Sequence, residues 1–310
     1  MSFFNIIMTY VITPISIGGQ YALIAIGYSL VYGILRLINF AHGDVFMVGG
    51  LLMVYIAAVM PLYIAIPLVI LLVVIIAFSI ERVAYKPLRQ APRMSVMISA
   101  IGVSYLLQNL ALYITGGLNQ NYPAIPWISD TITILSVETK RVTVITPFLV
   151  IALIIGLVWL IHHTKVGIAM RAVAKDFETS QLMGIRINSV ISTTFIIGSF
   201  LAAIGSILFF TNYPGVTPTS GAMPGLKAFV AAVFGGIGSV PGAVLGGLLI
   251  GVSESIIKGL DTILGPPGLG LLQAPLGLAT FSDAFTFVLL IIILVFKPTG
   301  LFGEKATEKV

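Results

Sequence analysis

The chain contains no cysteine in its 310 residues, and charged side chains make up only 9% of it. The first absence excludes disulfides, thiol nucleophiles and cysteine metal ligands. The second excludes an ordinary soluble surface, since roughly a quarter of the residues of a globular domain are charged. Strand-like alternation is missing over long stretches, which argues against a β-barrel. There is no GxxxxGK phosphate loop followed by Ser or Thr, no zinc motif and no serine–histidine–carboxylate spacing. Nothing therefore argues for catalysis, and no cofactor or metal is expected on this chain. The N-terminal MSFFNIIMTYVITP also lacks the basic start of a signal peptide, Arg36 being the first basic side chain, so it is expected to be retained.

What the chain has in abundance is apolar surface: 58% hydrophobic residues and a mean hydropathy of +1.10. Uncharged runs of roughly 20 residues recur, the length that crosses about 30 Å of hydrocarbon as helix. An all-α polytopic membrane protein of about 8–10 spans follows, folded as a single domain over residues 1–310. The clearest spans are 19–37, 44–60, 62–80, 95–116, 143–162, 189–211, 240–258 and 280–297, with shorter apolar pieces at 3–17 and 222–236. The net charge of +5 is distributed in a way that sets orientation and implies no nucleic-acid partner. Arg82, Lys86, Arg89 and Arg93 crowd one loop and Lys165, Arg171, Lys175 and Arg186 another, which places both in the cytoplasm. Counting outward makes 117–141 an external loop and gives nine crossings, with residues 3–17 available for a tenth.

Between two of these spans lies a polar island, GIAMRAVAKDFETSQLMGIRINSV, residues 167–190. Charges are too costly to bury singly in hydrocarbon, so the island must face water. Its middle reads as a short helix: Asp176 is placed to cap it, Phe177 and Gln181 share a face, and Gly184 suits a left-handed end. Such a helix is either an ordinary loop helix or a surface on which a soluble partner pushes.

Two more stretches stand out. In Asn39-Phe40-Ala41-His42-Gly43-Asp44, Asp44 is placed to cap a helix from Val45, and His42 is either hydrogen-bonded to a neighbour or part of a gate or solute contact. In Gly235-Gly236-Ile237-Gly238-Ser239-Val240-Pro241, a helix start is followed by small residues: Gly238, Gly242 and Gly246 on one ridge, Ala243, Gly247 and Gly251 on another. Small ridges let helices approach backbone to backbone, and the free N–H groups at the helix start offer an alternative role as a carboxylate rest. Gly43-Asp44-Val45 with Gly49-Gly50 and Gly238-Ser239-Val240 with Gly246-Gly247 hint at an internal repeat, although the spacings differ. The amides Gln20, Gln108 and Asn109 are expected to pair across helices, and Glu254 with Lys258 forms an i,i+4 pair expected near the outer surface.

Four segments in order, YALIAIGYSLVYGILRLINFAHGD, GIAMRAVAKDFETSQLMGI, LKAFVAAVFGGIGSVPGAVLGGLLIG and KPTGLFG, resemble the permeases of bacterial high-affinity branched-chain amino acid ABC importers. The length is similar to that of the shorter of the two homologous permeases in such systems. The resemblance implies a multi-pass subunit of the bacterial inner membrane that translocates leucine, isoleucine and valine. It implies a second homologous permease, two cytoplasmic ATP-binding subunits that hold the ATP and Mg, and a periplasmic binding protein. The coupling loop then spans about 164–188, with Arg171, Ala174, Asp176, Phe177, Glu178, Gly184 and Ile185 at the ATPase. Asn39, His42, Asp44, Gly235, Gly236, Gly238 and Ser239 become candidates for the path or gate. The same role for urea, short amides or other neutral amino acids stays open, as does an ion-coupled secondary transporter. The latter needs titratable groups near the midplane, whereas the charges are read as lying mostly in loops.

Overall fold

The computed structural model describes residues 11–89, 91–134, 137–264, 281–297 and 299–303. Residues 3–10 of the first apolar piece and residue 280 of the last expected span lie outside them. The helices are α1 (Thr13–Leu35), α2 (His42–Ala57), α3 (Leu62–Ile80), α4 (Arg93–Thr115), α5 (Arg141–His163), α6 (Lys165–Lys175), α7 (Phe177–Leu182), α8 (Ile187–Asn212), α9 (Ala222–Gly235), α10 (Val240–Leu264) and α11 (Ser282–Phe296). Among the described residues six helices are long and apolar enough to cross a membrane, and α2, α9 and α11 are shorter apolar helices. The chain is a multi-pass helical membrane protein.

The first expected boundary is corrected. Residues 13–17 do not belong to a separate piece; they open α1, with Pro14 in its first turn, where a missing N–H costs nothing. Gly18 and Gly19 are packing sites within α1. A Cβ at Gly18 would lie 2.8 Å from the Leu248 Cα, so the missing side chain is what lets α10 reach α1.

Helix α1 is the hub, packed by α10, α8, α9 and α5. Its apolar window is 89% buried, against 22% for α3 and 17% each for α4 and α5, which form the outer faces of the molecule. Around it Leu23, Ile24, Phe46, Met47 and Phe210 are completely covered.

The small-residue ridges divide between two neighbours. A Cβ at Gly242 would lie 2.3 Å from the Gly235 carbonyl oxygen and one at Gly246 2.0 Å from that of Ala231, so this ridge faces α9. Gly247 and Gly251 meet Ala22 and Gly18 on α1. Gly238 is corrected out of the ridge. It precedes α10 with φ of 97° in the turn after α9, and its own packing neighbour is Gly33.

Outside the helices, β1 (Gln120–Asn121) pairs antiparallel with β4 (Gly215–Val216), and β2 (Thr131–Ile134) with β3 (Val137–Lys140). These short pairings organise the 117–141 loop without altering the all-helical architecture.

Candidate functional site

The polar island folds as two helices, α6 and α7, in place of one. Thr164 caps α6 through a 3.1 Å bond from the Gly167 N–H, and Gly167 has no room for a side chain, since a Cβ would lie 2.2 Å from the Ile161 carbonyl oxygen. Met170 and Val173 bury its apolar face, while Arg171 turns outward and donates to the His162 carbonyl at 3.3 Å. Asp176 then ends α6 in an extended conformation and caps α7, its Oδ1 accepting from the Thr179 N–H at 3.0 Å. Gly184, at φ 83°, closes α7, and the Ile185 N–H bonds back to the Ser180 carbonyl at 3.1 Å. Arg171 and Ala174 thus belong to α6, Phe177 and Glu178 to α7, and Asp176, Gly184 and Ile185 to the links around them. Leu182 and Met183 were not singled out from sequence, yet they are 88% and 78% exposed beside an exposed Phe177.

This region is tied to the membrane helices at two points. Arg36, at the left-handed end of α1, donates from Nη2 to the Ala174 carbonyl at 3.4 Å. Behind α7 a groove is lined by Phe177, Gln181 and Ile185 on one side and by Arg82, Arg89 and Asn188 on the other. There Arg89 pairs with the fully buried Glu81, which also accepts from Ser192 Oγ at 2.8 Å on α8. Burial pulls the Arg89 guanidinium below its ordinary value, and the Glu81 charge acts in the opposite direction. Glu81 opens a π-helical turn, Glu81–Tyr85, at whose end Tyr85 donates its hydroxyl to Asn39 Oδ1 at 2.6 Å. Residues 36–41, which link α1 to α2, are therefore held by both contacts.

Helix α2 starts part-way along α1, not at its end. The His42 ring sits against Gly27, where a Cβ would lie 2.1 Å from its Nε2, and edge-on to Tyr28 at 5.0 Å. Gly27 lies about 12 Å before the end of α1, at roughly 1.5 Å per residue. Helix α9 begins at the same depth: a Cβ at Gly43 would meet the Gly221 carbonyl oxygen at 2.7 Å and the Gly225 Cα at 2.9 Å. Two short apolar helices thus start against each other part-way along α1. Gly238 lies elsewhere, beside Gly33 near the cytoplasmic end of α1.

Asp44 is not a cap. The helix begins at His42, and Asp44 sits within the first turn, accepting from Ser104 Oγ at 2.5 Å and Gln108 Nε2 at 3.0 Å on α4. Asn39, His42 and Asp44 are all buried, so in this single chain they pack between helices. Ser239 caps α10, accepting from the Gly242 N–H at 3.2 Å. The Leu301 and Phe302 N–H groups bond to the Phe234 and Gly235 carbonyls at 2.9 Å each, and Gly303 packs on Gly236. Gly235 and Gly236 are thereby covered by the chain's own C-terminal segment, whereas Gly238 is exposed and Ser239 half-buried.

The expectation that charges sit mostly in loops has an exception in one cluster within the apolar helices. Lys227 of α9 is buried and pairs with Glu254 of α10 at 3.1 Å and with Asp283 of α11 at 2.6 Å. The Glu254–Lys258 pair is present at 2.6 Å, but Glu254 is buried and also accepts from the Tyr21 hydroxyl at 3.0 Å. Lys227 went unread because a single lysine in an apolar stretch does not announce its partners. Of the amides, Gln108 does pair across helices, Asn109 bonds to the Tyr105 carbonyl of its own helix at 2.8 Å, and Gln20 finds no partner among the described residues.

A family model described as branched-chain amino acid transport system, permease component, matches residues 10–294. The high-affinity branched-chain amino acid transport permease BraD of Pseudomonas aeruginosa is 38% identical, covering 96% of each chain. LivH of Escherichia coli K12, named for the same kind of system, is 37% identical over 96% of this chain and 95% of its own. A probable branched-chain amino acid permease of Methanocaldococcus jannaschii is 27% identical over 91% of this chain and 88% of its own. Matched over residues 10–294 by the family model and end to end by these relatives, the chain belongs to the branched-chain amino acid transport system permease family.

Proposed function

We propose that this chain is the membrane-spanning subunit of an ATP-driven importer that carries leucine, isoleucine and valine across the bacterial inner membrane. The end-to-end similarity to permeases named for those amino acids carries this reading. In it the chain has no catalytic role: two cytoplasmic subunits bind ATP and Mg and hydrolyse the nucleotide, a second homologous permease completes the path, and an external binding protein delivers the solute. The same importer acting on urea, short amides or other neutral amino acids is separated by competition, since an excess of any true substrate suppresses leucine uptake.

The mechanism follows from how α7 is mounted. Phe177, Leu182 and Met183 expose apolar surface on the aqueous side, which gains about 25 cal/mol per Å² when a partner covers it. Phe177 also lines the groove in front of Arg89. A push on α7 passes through Ile185 into α8, and through Arg89, Glu81 and Tyr85 to Asn39 at the root of α2. The solute crosses between the two permeases as α2 and α9 shift.

In vesicles holding the complete importer, leucine uptake should require ATP and survive collapse of the proton gradient at constant ATP. Uptake without any ATPase subunit, or loss with the gradient alone, overturns the proposal in favour of a secondary transporter. Gly184→Val provides a sharper test of the mounting. No atom lies within 4 Å of the missing Cβ, so the cost comes from φ 83° alone, about 1–2 kcal/mol for an L side chain. ATP hydrolysis should persist while uptake falls several-fold; wild-type uptake by an assembled variant removes α7 from the coupling path.

A further inference from the structure

Helices α3, α4 and α5 are about equally uncovered by their own chain, yet they are not equally apolar. The mean hydropathy of their most apolar windows is 3.0 for α3 and 2.8 for α5, but 1.5 for α4. The exposed side chains of α3 and α5 suit lipid: Ile64, Leu71 and Ile75 on one, Phe148, Ile151 and Ile155 on the other. On α4 the exposed residues Gly102, Tyr105, Asn109 and Tyr113 follow one another at spacings of three and four and so form a stripe, flanked by the exposed apolar Ile98, Ile101 and Leu106. Tyr105 is 62% and Tyr113 88% exposed, and nothing lies within 4 Å of where a Cβ on Gly102 would be. Asn109 donates to the Tyr105 carbonyl, and among the described residues nothing bonds to its carboxamide oxygen. Tyr105 and Asn109 stand about 18 and 24 Å along α4 from its cytoplasmic start, at roughly 1.5 Å per residue, well within the hydrocarbon thickness. An outward amide at that depth is poorly served by lipid and well served by water or a polar solute.

The helix is not free to turn the stripe inward. Ser104 and Gln108, immediately before Tyr105 and Asn109, hold α4 by donating to Asp44 at 2.5 and 3.0 Å. Bringing Asn109 into the protein would break both bonds and leave a buried carboxylate unserved. Asp44 acts here as a positioning residue: it sets the rotation of α4 about its axis.

We propose that the stripe of Gly102, Tyr105, Asn109 and Tyr113 is the wall that this chain contributes to the solute path. The chemistry fits a zwitterion with an apolar side chain. The Asn109 amide and the Tyr105 hydroxyl serve its charged ends in turn, the tyrosine ring faces accept an ammonium or an aliphatic group, and Gly102 leaves width. The proposal rests on the import reading, and its test separates the two.

Because the chain has no cysteine, any introduced thiol is the sole one it carries. In the complete importer in membrane vesicles, Tyr105→Cys and Asn109→Cys should react with a charged, membrane-impermeant methanethiosulfonate. Ile151→Cys and Ile155→Cys, on the lipid-facing helix α5, should not. Trapping the importer with vanadate should change the rate at the two α4 positions only. Asn109→Leu should insert normally yet lower leucine uptake about tenfold, as expected for losing one hydrogen bond to a charged group. If the α4 thiols react no faster than those on α5 while leucine uptake still depends on ATP, the stripe faces lipid and the proposal is overturned, although import stands. Loss of ATP dependence in the wild-type vesicles is a separate result that overturns the import reading itself.

Discussion

Gly246→Leu should leave no folded chain in the membrane, while Gly156→Leu should be tolerated. Position 246 has no space for even one carbon, since a Cβ would lie 2.0 Å from the Ala231 carbonyl oxygen. The obstacle is backbone on both sides, and backbone cannot rotate away as a side chain can. The cost therefore exceeds the roughly 1–3 kcal/mol of ordinary overpacking, because α9 and α10 would have to separate. Gly156 lies on α5 with nothing within 4 Å of its missing Cβ, so leucine there only extends a lipid-facing surface. The ridge can be read from sequence as a contact with another helix, but the helix it touches is α9 of the same chain. The expected loss is therefore of the fold, before any partner subunit is involved. Size-exclusion profiles of the solubilised chain decide the matter: a monodisperse Gly246→Leu protein with wild-type thermal stability would mean that α9 and α10 do not approach as described.

Composition and periodicity made the membrane class, most spans, the Asp176 cap and the left-handed Gly184 legible, because each depends on residues adjacent in sequence. Features depending on partners far along the chain were not. Asp44 resembles a cap until Ser104 and Gln108 are seen to hold it. The early start of α2 was hidden for another reason. Apolarity marks where a helix can cross, not the depth at which it begins, and that depth is set by Gly27 making room for the His42 ring. Leu182 and Met183 were passed over since two apolar residues in a polar loop ordinarily pack inward, whereas here Gly184 turns the chain before they can.

Glu254→Leu should destabilise the protein more than Lys227→Met, and joining the two changes should cost less than their sum. The four charges Lys227, Lys258, Glu254 and Asp283 balance, and they fasten α9, α10 and α11 together. Glu254 is the centre of the cluster: it meets both lysines and receives the Tyr21 hydroxyl from α1. Removing it leaves the buried Lys227 with Asp283 alone, and the Lys227 side chain is only 7% exposed. Breaking a buried pair from one side costs about 3–5 kcal/mol, so a loss near the lower end is expected, as Asp283 still serves Lys227. Removing Lys227 is milder. Glu254 then keeps Lys258 at 2.6 Å and Tyr21 at 3.0 Å, and Asp283, with a side chain 36% exposed, can turn to water. In the double variant neither member of the buried Lys227–Glu254 pair is left without the other, so a favourable coupling of about 1–3 kcal/mol should appear in the cycle. Thermal unfolding of the solubilised chain measures all three changes. Strict additivity would show that the pair is not coupled, and a Lys227→Met loss larger than that of Glu254→Leu would move the centre of the cluster from the carboxylate to the lysine.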